Sequence, residues 1–291
     1  MKKIAIFASI VTAIFLAMVV FDTNQVAVES TESGNRPHGS DGQYSSFEYG
    51  RSGMNRPLVA YRISAHSVPD QRKILCVFAI HGFEDAWYRD GEELVNIAHG
   101  VIDYFRDNPQ VLGNYQLIVV PCANPDGLYE GWTCNGPGRC QISAGIDINM
   151  DFDYRFQVRT NPRNKTGARP FSSPEARALR DLVFKEKPGI IIDFHGWLCS
   201  AAGDKAIAEI FCRNLGLEYK DPDASIYGGF FSGWASQYAK AVLVEYPNPF
   251  TGQGPFDFRT DIQVETHGLV AHWGYTDKTI SAITEIVDQG L

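Results

Sequence analysis

From Phe47 onward, short apolar runs alternate with longer amphipathic stretches. "PLVAYRI" (57–63), "ILCVFAI" (74–80), "QLIVVP" (116–121), "GIIIDF" (189–194) and "AVLVEY" (241–246) are rich in Val, Ile and Leu, and most are bounded by Gly, Pro or charge. Such near-continuous apolarity predicts strands covered on both faces. The 3.6-residue pattern predicts helices at about 91–107, 174–186, 204–215 and 277–288. At the second of these, "SSPEARALRDLV" offers Ser173 as N-cap and Pro174 in the first turn. The alternation predicts an α/β fold, a three-layer sandwich whose central mixed, mostly parallel β-sheet is flanked by helices. Two long stretches, 122–173 and 246–264, lack either period; loops of that length in a compact domain usually carry function.

The pattern breaks at the N-terminus. "MKK" precedes the apolar run Ile4–Phe21, which is closed by Asp22. A basic start followed by about 18 apolar residues reads as a signal peptide or an uncleaved membrane anchor. Either reading puts the rest of the chain outside the cytoplasm, secreted or tethered to the outer face of the membrane. Residues 23–46 are rich in Ser, Gly, Glu and Asn and read as a disordered linker. The folded domain is expected over 47–291, with no internal repeat and no linker to divide it.

Composition adds an exclusion. A formal charge of −8 over 291 residues, with no basic stripe, argues against a nucleic-acid partner. Of the six cysteines, Cys134 and Cys140 lie close together in a Gly/Pro-rich loop and make the best local pair. Cys76 and Cys122 sit in or beside strand-like runs, where buried free thiols are expected. Cys199 and Cys212 stay undecided.

Chemistry concentrates at the strand ends. His81 follows "ILCVFAI" and His195 follows "GIIIDF", at the carboxyl edge where open α/β sheets place their sites. Either histidine alone reads as structural. With Glu84 three positions beyond His81, they form the His₂Glu composition of an open catalytic zinc site. Glu245 ends the Val- and Leu-rich run "AVLVEY", where an acid is out of pattern unless it is paired or used. A base facing an activated water is one use.

These residues resemble the carboxypeptidase A-like zinc peptidases. The match runs over about 47–290 and rests on six motifs in order: "HGFE" (81–84), "ANPDG" (123–127), "GIDIN" (145–149), "PFSSPEARAL" (170–179), "DFHG" (193–196) and "VEYP" (244–247). The resemblance implies a zinc metallocarboxypeptidase-like hydrolase holding one Zn²⁺ through His81, Glu84 and His195. Glu245 is then the general base, and Asp147 the carboxylate that hydrogen-bonds the first zinc histidine. It further implies Arg139 as the cation at the oxyanion and Tyr227 as a substrate-capping side chain. If Cys134 and Cys140 bond, they brace the Arg139 loop.

The chain departs from the family where a substrate's terminal carboxylate is gripped. Asn149 is kept, but Met150 stands where the family has an arginine, and Phe83 replaces another within the His-x-x-Glu motif. Methionine has no bidentate fork for a carboxylate. Either a displaced arginine, Arg155 or Arg159, supplies the grip, or the substrate bears no free carboxylate there, or peptidase activity is lost. The retained metal and base residues argue against the last. With the export signal, peptides or peptidoglycan stem peptides are the expected substrates. A non-catalytic, metal-containing binding module and an aspartoacylase-type deacylase remain the alternative readings.

Overall fold

The computed structural model describes residues 42–66, 71–84, 86–87, 90–130, 140–141, 144–249 and 274–291, within one compact unit, Ser40–Leu291. Each predicted apolar run forms a strand: β2 (Pro57–Ser64), β3 (Arg72–Phe78), β4 (Tyr115–Val120), β7 (Ile190–Gly203) and β9 (Lys240–Pro247). One further strand precedes them. β1 (Gln43–Arg51) pairs antiparallel with β2, so the described sheet reaches into the stretch read as linker. Its first residues are exposed, and an edge strand facing water leaves no apolar signal.

The main sheet runs β1-β2-β4-β3-β7-β8, with β9 also paired to β7 and β8 being Glu218–Tyr219. β1, β2 and β4 are antiparallel neighbours, whereas β4, β3, β7 and β9 run parallel. A small second sheet joins β5 (Cys140–Gln141) to β6 (Ile146–Asp147). The β7–β9 register climbs from Ile190↔Lys240 to Gly196↔Tyr246, then reverses from Ser200↔Glu245 to Gly203↔Val242. β7 thus turns back on itself beyond Trp197, and β9 is flanked twice by the same strand.

Helices cover both faces, as the sheet's apolarity predicts. Ile74, Cys76, Phe78, Ile192, Phe194 and Val244 face a core built with α1 (Gly91–Asp107), α4 (Lys205–Leu215) and the last helix, α7 (Tyr275–Gln289). Leu75, Val77, Ile191 and Ala241 face the opposite core, with α3 (Pro174–Glu186) and, after the short α5 (Pro222–Ser225), α6 (Phe231–Ala235). Ser173 caps α3 as expected, its hydroxyl accepting from the Ala176 N–H at 3.3 Å. Among the irregular stretches, 122–173 contains α2 (Pro125–Glu130) and the small sheet. Most of 246–264 lies outside the described residues, as do Cys134 and the apolar run Ile4–Phe21. Cys76 is buried and free, and Cys122, Cys199 and Cys212 are also free thiols.

Candidate active site

His81 leaves the end of β3 through Ala79, whose φ is +51°. The Ala123 and Asn124 amides donate to the Phe78 and Ala79 carbonyls, both at 3.0 Å, and lace this edge to the next loop. Gly82, between the two motif ligands, passes so close to α2 that a Cβ there would stand 2.1 Å from the Leu128 nitrogen. On the neighbouring strand, the two-residue period puts Asp193 and His195 on the face shared with Ile191. One strand further, His195 and Glu245 are register partners.

The three expected ligands converge. One donor atom each from His81, Glu84 and His195 lies within 4.8 Å of the other two. Glu84 bridges the histidines, with Oε2 3.0 Å from His81 Nδ1 and Oε1 2.9 Å from His195 Nδ1. Both rings turn Nε2 to a buried aspartate: His81 lies 3.0 Å from Asp147 Oδ1, and His195 lies 3.0 Å from Asp193 Oδ1. With a metal held through Nδ1, each Nε2–H would donate to its aspartate, which only accepts. Two imidazole nitrogens and a carboxylate, all nearly buried, fit Zn²⁺ with one position open.

The electrostatics agree with a cation site. Burial opposes charge on Glu84, yet His81 and His195 hold its carboxyl well below the usual range. Burial also opposes charge on His195, but Asp193 and Glu84 outweigh it and raise its pKa well above the ordinary value.

The remaining expected residues divide. Asp147 also accepts from the Asn149 amide at 3.0 Å, starting the turn Ile148–Met150. Asn149 is inside the centre, with Nδ2 3.4 Å from His195 Nε2, but its Oδ1 is engaged by the Phe231 N–H at 2.9 Å. Met150 and Phe83 are buried. Tyr227 is 58% exposed and packs edge-on against Phe230. Its loop is stitched to the segment after Met150 by Phe152 N–H to Gly229 O (3.0 Å) and Gly229 N–H to Tyr154 O (2.6 Å). Arg155 is an exposed residue ion-paired with Asp223 at 2.7 Å, while Arg159 is part-buried, its backbone laced to Thr166. Arg139 lies outside the described residues.

Two buried acids that contact the expected ligands, Asp193 and Asp90, were not anticipated. Asp193 had a readable signal, being an acid inside the apolar run "GIIIDF" and two positions from His195. Asp90 had none beyond its place before a helix.

This fold, with a His-x-x-Glu pair facing a third histidine, defines a class. The chain belongs to the zinc carboxypeptidase family, whose sequence profile matches residues 41–199. Bacteriocin BCN5 of Clostridium perfringens is 34% identical over 290 residues, which is 92% of this chain but 30% of that protein. Murein peptide amidase A of Escherichia coli (strain K12) is 26% identical over 160 residues, half of this chain and 57% of the amidase. The chain thus matches less than two thirds of each of these relatives. In fold it resembles carboxypeptidase A from Helicoverpa armigera, with a TM-score of 0.60 at 18% identity, covering 82% of this chain and 68% of the other.

Proposed function

We propose that this chain is a zinc-dependent peptidase or amidase that hydrolyses amide bonds in peptides, with peptidoglycan stem peptides as its substrate class. The observation that carries the reading is the set of His81, Glu84 and His195 donors with Glu245 in register beside His195. Bound zinc supplies Lewis acidity to the scissile carbonyl and to the attacking water. Glu245 takes the proton from that water and returns it to the departing amine nitrogen. Asp147 and Asp193 keep the two histidine rings in one tautomer and orientation. Arg139 is the proposed partner of the oxyanion, and Tyr227 the side chain that covers the bound substrate.

The substrate class rests on two supports. Met150 and Phe83 put apolar side chains where the family grips a terminal carboxylate, which favours a bond whose following residue has no free carboxylate at that point. One of the relatives is named a murein peptide amidase. Export through Ile4–Phe21, cleaved or retained as a tether, would place the site outside the cytoplasm.

Incubation with defined muropeptides and with peptides bearing free C-termini, read by product mass, tests the proposal. Internal amide cleavage of the muropeptides is the expected result. Cleavage confined to free C-terminal residues overturns the substrate class. A zinc-loaded protein that cleaves neither supports the binding-module reading instead.

A further inference from the structure

Asp90 stands immediately before α1, where an aspartate ordinarily caps the helix through its side chain. It makes no such cap hydrogen bond. Its carboxylate is fully buried and turns inward to gather, among the described residues, three N–H donors from two separate segments. Oδ1 accepts from the backbone N–H of the metal ligand Glu84 at 2.7 Å. Oδ2 accepts from the Ala86 N–H at 2.8 Å and from the Trp197 indole N–H at 3.2 Å. Trp197 lies two residues beyond His195 on β7, and its ring packs against Trp87 with centroids 4.4 Å apart. One buried carboxylate therefore ties the loop carrying His81 and Glu84 to the strand carrying His195.

We infer that Asp90 is a positioning residue for the metal centre: through Glu84 N–H and Trp197 Nε1–H it sets where the Glu84 carboxylate stands relative to His195 before any metal arrives. The inference rests on the zinc-site reading given above. Burying a carboxylate this deeply is costly unless several N–H donors satisfy it, and the two backbone bonds found here, at 2.7 and 2.8 Å, are short, charge-assisted ones. The role requires acceptors on both oxygens. Asparagine keeps the shape but has one oxygen, so in either orientation its NH₂ meets an N–H that needed an acceptor. Trp197→Phe keeps an aromatic ring in the stack and deletes the indole donor together with part of the buried ring.

The test uses the full chain as wild type, Asp90→Asn, Trp197→Phe and the double variant. Zinc affinity is measured by competition with a chromophoric chelator, and thermal unfolding is recorded for each metal-free protein. Asp90→Asn is expected to unfold cooperatively and to bind zinc about 10- to 100-fold more weakly, the range for lost outer contacts of a metal site. Trp197→Phe should weaken binding a few-fold, roughly the effect of one hydrogen bond. The double variant should bind zinc at least as weakly as Asp90→Asn, whose one remaining oxygen can still accept from the Trp197 indole. A lower melting temperature with wild-type zinc affinity would mean a merely structural role and overturn the inference, as would a double variant that binds zinc more tightly than Asp90→Asn. If Asp90→Asn does not fold, Trp197→Phe decides, and unchanged affinity there overturns it. A wild-type protein that binds no zinc sinks the metal-site reading itself, and the inference with it.

Discussion

Gly82 is the point at which the zinc loop is pressed hardest, and adding one methyl group there probes how the site is held. An alanine Cβ would lie 2.1 Å from the Leu128 nitrogen, 2.3 Å from the Gly127 carbonyl carbon and 2.7 Å from the Leu128 Cα. All three obstacles are backbone atoms of α2, so no side chain can turn aside. The other flank is closed too, because a Cβ on Gly91 at the start of α1 would come within 2.2 Å of the Gly82 oxygen. Restoring an ordinary 3.4 Å contact requires about 1.3 Å of displacement, shared between α2 and the loop holding His81 and Glu84. If α2 gives way, overpacking costs about 1–3 kcal/mol of stability. If the loop gives way, the ligands leave the roughly 0.2 Å tolerance of a zinc site. Gly82→Ala should therefore lose zinc affinity by about 100-fold, at the upper end for disturbed support of a metal site, and melt several degrees lower. Gly189→Ala is the control, since a Cβ there meets nothing within 4 Å. Chelator competition and thermal unfolding of both variants supply the readout. Wild-type affinity and melting in Gly82→Ala would refute the argument that backbone contact fixes this loop.

Two further outcomes are expected. Glu245→Gln should retain zinc at wild-type stoichiometry while turnover falls by about 10²–10⁴-fold, the usual contribution of a general base; turnover near wild type would remove Glu245 from that role. Glu175, at the start of α3, is fully buried, with Oε1 accepting from Gly53 N–H at 2.8 Å and Oε2 without a hydrogen-bond partner. Burial, with Asp126 adding repulsion, raises its pKa from 4.5 to about 7. The folded state then binds the extra proton, so this group's stabilisation is full below pH 4.5 and is lost as pH rises through 7. The loss amounts to roughly 3 kcal/mol at about 1.4 kcal/mol per pKa unit. Glu175→Gln should flatten that slope and be the more stable protein at pH 8. Denaturant titrations at pH 5 through 8 check this, and parallel slopes in the two proteins would contradict it.

Much of the fold was legible because its strands are buried on both faces and carry continuous Val, Ile and Leu. β1 was not, since an edge strand facing water needs no apolar pattern. The extension of β7 to Gly203 was equally hidden, because "GWLCSAAG" draws its strand character from pairing with β9 rather than from composition. His81, Glu84 and His195 could be read from spacing and strand ends. Asp193 could have been read by the logic applied to Glu245, an acid out of place in an apolar run. Asp90 could not: its donors lie 6, 4 and 107 positions away, and only the fold brings Glu84, Ala86 and Trp197 to one carboxylate. The same holds for Gly82, whose need for a bare α-carbon comes from α2 across the loop.

The pairing of His195 with Glu245 has a wider consequence. Adjacent strands lie about 4.8 Å apart because backbone hydrogen bonding fixes that spacing. The interval between the proposed metal ligand and the proposed base is thus a property of the sheet itself, a built-in ruler that no side chain has to maintain. Met150 and Phe83 lie outside that ruler, in a short turn and a loop. A fold divided in this way can change what it grips while its working distances stay the same, and new specificities need only loop substitutions to be tried by evolution or design.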